Sequence, residues 1–254
     1  MRKNTLKQLW QEEKPAFGAW LVLPDAFSAE VMARLGFDWV CIDMQHGLID
    51  YQLALSMLQA ISATPTVPIV RVPWNDPAII MKVLDAGAYG VLIPLINNRA
   101  DTEQAVAACR YPPAGIRSYG PMRATLYGGA DYATAANDEI CCIPMIETAS
   151  ALENLDDILS VPGVDAVYIG PMDLSLSLGI PPVLDGDAPG YVAARDRILA
   201  ACRRHNVVAG INSTSQTATA RASEGFRFVL VSTDIGNLAQ GAARELAAVR
   251  AKFS

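Results

Sequence analysis

The chain has 254 residues, 52% of them hydrophobic and 18% charged, which is enough apolar material for one large core and too much for a disordered polypeptide. Twenty Lys and Arg against 26 Asp and Glu leave a formal charge of -6, so no electrostatic drive toward nucleic acid or anionic lipid exists. No apolar run approaches the roughly 18–20 residues of a membrane helix, and the basic start (Arg2, Lys3, Lys7) runs into Gln11-Glu12-Glu13-Lys14 instead of a signal-peptide core. The expectation is a cytoplasmic protein with no nucleic acid and no membrane among its partners. Five cysteines without a CxxC pair suggest neither a disulfide framework nor a zinc ribbon, and they read as small core residues.

In chain order, short β-branched runs at 17–23, 39–43, 68–72, 90–94, 141–146, 166–169, 207–210 and 228–232 read as strands. Between them, apolar residues at i, i+3 and i+4 predict helices over 28–35, 51–63, 77–86, 99–110, 151–159, 191–204, 214–223 and 238–249. Strands that are apolar throughout, and not alternating, are those buried on both faces of a parallel sheet. Eight βα units in about 250 residues predict a single (β/α)8 TIM barrel, spanning 1–254 as one domain. An open doubly wound sheet fits less well, because no GxGxxG follows the first strand and no composition break marks a second domain. The stretch 111–137, rich in Pro, Gly, Ser and Tyr, reads as a long loop near the active site or a subunit interface.

Active sites of such barrels are built at the carboxyl ends of the strands. The ionisable residues there are few: Asp43 to His46 after the second strand, Arg71 in the third, Glu147 after the fifth, and Asp173 in Gly170-Pro171-Met172-Asp173 after the sixth. An apolar strand that ends in an acid costs desolvation free energy unless the carboxylate finds a cation or donors. Glu147 and Asp173, on neighbouring strands with no His or Cys beside them, suit a hard divalent ion such as Mg2+ or Mn2+. Taken singly, each also reads as a helix-capping acid, Glu147 before Thr148-Ala149-Ser150 and Asp173 before Leu174-Ser175.

His205 lies between a helix and a strand, on the amino-end face, and reads as structural. His46 is the imidazole available at the carboxyl ends as a general base. Arg71, inside an apolar strand, needs a buried anion, either a structural carboxylate or one from a substrate. The lysines are Lys3, Lys7, Lys14, Lys82 and Lys252, none at the carboxyl end of a predicted strand, so Schiff-base chemistry is disfavoured. No GxSxG elbow, P-loop or HExxH occurs.

The run Gly36-Phe-Asp-Trp-Val-Cys-Ile-Asp43 with Gln45-His46, then Ile69-Val-Arg-Val-Pro-Trp-Asn-Asp-Pro77, Leu84-Asp-Ala-Gly87, Arg110-Tyr-Pro-Pro-Ala-Gly-Ile-Arg117, Ile146-Glu-Thr148 and Ile169-Gly-Pro-Met-Asp-Leu-Ser175, resembles the HpcH/HpaI family of metal-dependent class II pyruvate aldolases, typified by 4-hydroxy-2-oxoheptane-1,7-dioate aldolase. The similarity runs from about Gly18 to Leu246. It implies a (β/α)8 barrel, usually a homohexamer with an exchanged helix, that cleaves 4-hydroxy-2-oxoacids reversibly to pyruvate and an aldehyde with Mg2+, Mn2+ or Co2+. By that resemblance Glu147 and Asp173 are metal ligands, Arg71 holds the pyruvate unit, and His46 is the base with Asp85 as its orienting partner. Trp20, Gly170, Met172 and Asp173 line the substrate. Gln45 stands where the family often has Glu, and Met145 where it often has Gln, which bears on the choice of acceptor. The alternatives are a CoA-ester lyase of the same superfamily, which would want a basic groove where the Arg203-Arg204 pair is not, and a non-catalytic metabolite-binding barrel.

Overall fold

The computed structural model describes residues 1–253. Eight parallel strands close into a barrel in the order of the chain: β1 Ala16–Leu21, β2 Trp39–Asp43, β3 Val67–Arg71, β4 Gly90–Ile93, β5 Cys141–Ile146, β6 Ala166–Ile169, β7 Val208–Ile211 and β8 Phe228–Thr233. β1 pairs with both β2 and β8, so no edge is left open. The predicted strands match these within a residue or two.

The pleat sends alternate residues of each strand to opposite sides. Trp39 and Cys41, Ile69, Ile143 and Met145, Tyr168 and Phe228 fill the barrel interior, whereas Val40, Ile42, Val70, Val91, Cys142 and Val229 pack against the surrounding helices. Large rings fit inside because small residues oppose them. A Cβ on Gly18 would sit 2.0 Å from the Trp39 ring, and one on Gly210 would fall between Tyr168 and Phe228. All five cysteines are free and buried, as core residues should be.

A helix not predicted from the sequence, α1 (Thr5–Gln11), closes the amino end of the barrel. Leu6 enters the interior cluster, Asn4 caps the helix and donates through Nδ2 to the Glu139 carbonyl at 2.7 Å, and Trp10 donates to the Arg227 carbonyl at 3.0 Å. Outside the first five strands run α2 (Ala26–Ala33), α3 (Tyr51–Ile61), α4 (Pro77–Asp85) and α5 (Arg99–Cys109). The stretch 111–137 is not one irregular loop, because it carries α6 (Met122–Gly128) and begins α7 (Tyr132–Glu139). Its contacts put it on the amino-end face: Arg123 donates to the carbonyls of Leu58 and Ala86, Tyr127 packs on Tyr89, and Arg117 meets Asp85.

The predicted 151–159 helix is broken at Asn154 into α8 (Ala149–Glu153) and α9 (Leu155–Leu159). α10 (Pro171–Ser177) follows β6, α11 (Pro189–His205) precedes β7, and α12 (Ala218–Glu224) precedes β8. α13 (Asp234–Arg250) touches the barrel mainly at its start, where the buried Asp234 carboxylate accepts from the backbone N–H groups of Val22 and Leu23. The rest of α13 is exposed, Leu238, Leu246 and Val249 included. Among the described residues, no helix is long and apolar enough to cross a membrane.

Candidate active site

The carboxyl ends of β2 and β3 are in register, Asp43 opposite Arg71. Arg71 Nε donates to Asp43 Oδ1 at 2.8 Å and Nη2 to Oδ2 at 2.6 Å, a bidentate pair. Trp20 of β1 donates its indole N–H to Asp43 Oδ2 at 3.1 Å, and its ring lies 4.9 Å from the Arg71 guanidinium carbon. The backbone N–H groups of Gln45 and His46 donate to Asp43 Oδ1, so this carboxylate also shapes the turn that carries His46. Burial opposes the charge on Asp43, but the hydrogen bonds and charge of Arg71 outweigh it and hold its carboxyl below the usual range. The buried anion that Arg71 requires is therefore Asp43. Arg71 Nη1 makes no hydrogen bond among the described residues and is left for a ligand.

Glu147 follows β5 and is 1% exposed. Its one protein donor among the described residues is the Leu95 N–H, 2.7 Å from Oε1. Leu95 has a left-handed backbone (φ 55°), a conformation that costs a non-glycine residue about 1 kcal/mol. On the other side, a Cβ at Gly170 would come within 2.5 Å of Glu147 Oε2, so glycine keeps that approach open. Burial, then the like charge of Asp173, push the Glu147 carboxyl up to about 7. Neither carboxylate is a helix cap: Thr148 caps α8 by accepting from the Ala151 N–H, and Gly170 is the N-cap of α10, with Asp173 in its first turn. Asp173 and Met172 are exposed at the mouth.

These oxygens fit a hard divalent ion. Glu147 is a buried carboxylate without a cation in hydrogen-bond contact, and a second carboxylate adds to its charge; a cation would relieve both penalties. No third His, Cys, Asp or Glu joins them into a larger cluster among the described residues, so water or substrate would complete the coordination.

His46 is exposed at the carboxyl-end face, and its ring makes no hydrogen bond to a described residue. The structure does not bring Asp85 to it. Asp85 is the last residue of α4, on the amino-end side, and its carboxylate accepts from Arg117 Nη2 at 2.8 Å. Within one chain the two lie at opposite ends of the barrel. His205, also on the amino-end side, meets Asp156 at 2.7 Å, and Arg204 pairs with the same aspartate. No lysine lies at the mouth: Lys3 and Lys7 pair with Glu139 and Asp165 at the amino end, and Lys82 lies over the Tyr51 ring.

A cavity of about 500 Å³ opens beside Trp20 and Arg71, over the carboxyl ends of β7 and β8. Two roles at this mouth are not assigned from the sequence. Asp43 carries the same signal as Glu147, an acid ending an apolar strand, but nothing in the sequence pairs it with Arg71, 28 residues away. Asn212, directly after β7, had no signal, since a lone amide after a strand is commonplace.

A closed parallel barrel with an arginine and two strand-end carboxylates gathered at one mouth is the layout of a barrel enzyme acting on small oxyanionic substrates. The sequence matches the HpcH/HpaI aldolase/citrate lyase family model over residues 16–240. It is 42% identical to a hydroxypyruvate/pyruvate aldolase of Rhizorhabdus wittichii, over 98% of this chain and 99% of that one. It is 41% identical to a 4-hydroxy-2-oxo-heptane-1,7-dioate aldolase of Salmonella dublin, over 94% and 92%. The structure superposes on an HpcH/HpaI aldolase/citrate lyase family protein of Burkholderia cenocepacia with a TM-score of 0.90 at 35% identity, covering 98% of this chain and all of that one. The chain belongs to the HpcH/HpaI aldolase/citrate lyase family, and it is an aldolase, a carbon–carbon lyase.

Proposed function

We propose that this aldolase cleaves 4-hydroxy-2-oxoacids reversibly to pyruvate and an aldehyde, with a divalent cation (Mg2+, Mn2+ or Co2+) held by Glu147 and Asp173. The observation that carries the reading is Glu147, buried, with one N–H donor and a like charge beside it, on the same rim as an Arg71 whose Nη1 is unused. The names of the Rhizorhabdus and Salmonella relatives support pyruvate chemistry.

Glu147 and Asp173 would hold a divalent cation there, which when bound would supply Lewis acidity to the pyruvate unit. Arg71, fixed by Asp43 and Trp20, presents its remaining edge to the 2-oxo and carboxylate oxygens of that unit, where negative charge grows as the C3–C4 bond breaks. His46 takes the proton of the C4 hydroxyl, and the electron pair of the broken bond moves toward the 2-oxo oxygen. Gly170 leaves room beside Glu147, and Trp20 lines the adjoining cavity; in this reading the backbone at Met172 and Asp173 borders the pyruvate unit.

A homohexamer accounts for α13, which exposes Leu238, Leu246 and Val249 instead of packing them on its own barrel. In such an assembly a neighbouring copy is the one source of an Asp85 that could orient His46, since the chain's own is tied to Arg117.

The test is exchange of pyruvate methyl protons with deuterium. Exchange that requires added Mn2+ or Mg2+ and stops with EDTA is expected; exchange at an equal rate in EDTA, or none with any of the three metals, overturns the proposal.

A further inference from the structure

The cavity beside Trp20 and Arg71 is lined after β7 by Asn212, Thr214 and Gln216 and after β8 by Ser232, Asn237 and Gln240. Every polar group along that wall is a hydroxyl or an amide. The single charged side chain lining it is Arg71, two of whose nitrogens are taken by Asp43. A wall of this chemistry offers hydrogen bonds to neutral oxygens and nothing to neutralise a distant carboxylate, whose burial without a cation is costly.

Much of the wall is already occupied with itself. Ser232 Oγ donates to Asn237 Oδ1 at 3.0 Å, and Thr214 Oγ1 lies 3.2 Å from Thr217 Oγ1. Asn212 is different. Tyr168, wholly buried among the rings of the barrel interior, donates its hydroxyl to Asn212 Oδ1 at 2.7 Å. That bond sets which end of the amide faces away, so the Asn212 NH2 group is a positioned donor with no protein partner among the described residues. Its place is settled by the sheet: Ile211 pairs with Ile169, and the strand bearing Ile169 runs directly into Gly170 and Asp173. Asn212 therefore stands next to the pyruvate end on one side and the open cavity on the other.

Resting on the aldolase reading above, we infer that this cavity is the acceptor subsite, that it takes short hydroxylated aldehydes, and that Asn212 selects them by donating from Nδ2 to a hydroxyl oxygen of the acceptor. An aldehyde ending in a carboxylate gains no ion pair there. An aldehyde without hydroxyls leaves the amide unpaired in a partly dehydrated pocket, the situation in which a hydrogen-bonding site discriminates best.

The experiment compares kcat/KM for aldol addition of pyruvate to glyceraldehyde, propanal and succinic semialdehyde. The wild-type protein should prefer glyceraldehyde to each of the others by about tenfold or more, the worth of one well-placed hydrogen bond. Asn212→Leu should bring the glyceraldehyde-to-propanal ratio down by about tenfold. Asn212→Asp keeps an acceptor for Tyr168 and removes the NH2 donors; it should lower the same ratio, and it carries the test if the leucine variant does not fold. A wild-type preference for succinic semialdehyde, or a ratio unchanged in the folded variants, overturns the inference. Wild-type pyruvate proton exchange involves no acceptor and reads the underlying activity separately: its presence together with an unchanged ratio sinks the Asn212 assignment alone, whereas its absence sinks the aldolase reading itself.

Discussion

Asp43 and Arg71 face each other across neighbouring strands, and two hydrogen bonds of 2.8 and 2.6 Å lock the guanidinium so that one edge is left for a ligand. The arginine is thus positioned before any substrate arrives, which is the condition for electrostatic stabilisation without reorganisation. Asp43→Ala should leave a buried, uncompensated cation and lower stability by about 3–5 kcal/mol in a denaturant titration. Because the Asp43 carboxyl lies below its ordinary value, the pair stabilises the fold above the ordinary aspartate range, and that contribution is lost as pH falls through the lowered value. The variant should therefore lose less stability than the wild type on acidification below about pH 4; an equal acid slope would show that the pair does not act this way.

Glu147 titrates in the opposite sense. With its carboxyl raised to about 7, the metal-free protein holds Glu147 protonated through the mildly acidic range, and a cation must displace that proton. Mn2+ affinity should climb by up to about tenfold per pH unit below 7 and level off above it. A raised carboxyl also costs the metal-free fold stability as pH rises from the ordinary glutamate value through 7, so its melting temperature should fall over that window and Mn2+ should restore it. Glu147→Gln should bind Mn2+ at least about tenfold more weakly and lose the pH dependence. Calorimetric titration at pH 5.5, 6.5 and 7.5 decides the matter, and a flat wild-type profile would remove Glu147 as a ligand.

Absence of lysine from the mouth gives a sharper chemical test. Lys82 is on an outer helix over Tyr51, and Lys3 and Lys7 are engaged at the far end of the barrel. Borohydride with pyruvate should leave activity intact, and EDTA should abolish it until Mg2+, Mn2+ or Co2+ is returned. A lysine adduct in the mass spectrum would contradict the assignment.

What could be read from the sequence tracks how local the cause was. The eight strands were legible because each is apolar throughout, as burial on both faces demands, and Glu147 and Asp173 stood out as acids closing such runs. α1 was not legible. Its seven residues, TLKQLWQ, carry too short a stripe to register, and what holds it is tertiary: Leu6 in the barrel interior and Asn4 bound to the Glu139 segment. The helices within 111–137 were hidden by Gly and Pro, most of which lie before α6, at Pro112, Pro113, Gly115, Gly120 and Pro121. The pairing of Asp85 with Arg117, 32 residues apart in sequence, is a long-range event no spacing announces. Asn212 carries no signal of its own in the sequence, because what fixes its amide is Tyr168, 44 residues away.

His46 and Arg71 should separate cleanly in kinetics. His46→Ala removes the proton acceptor while the carboxylates and Arg71 remain, so pyruvate should still bind and cleavage should slow by ~10²–10⁴-fold. Arg71→Ala should weaken pyruvate binding and turnover together, because its charge serves ground and transition states alike. Arg71→Lys should rescue little, since a point charge cannot replace a planar fork held on Asp43. Near-normal turnover in His46→Ala would return His46 to a turn residue.

Asp85 allows the assembly to be tested through the chemistry. If a neighbouring copy's Asp85 orients His46, then Asp85→Asn and His46→Ala should each be impaired alone, and hexamers formed by unfolding and remixing the two should regain activity. Each competent site then needs an intact His46 from one copy and an intact Asp85 from another, so random mixing should restore roughly a quarter of the wild-type sites. Asp85→Asn keeps an acceptor for Arg117, which limits damage to the fold at the buried guanidinium. Activity in the mixture equal to the mean of the two separate variants would confine Asp85 to the Arg117 ion pair, and light scattering that finds monomers would remove the shared site altogether.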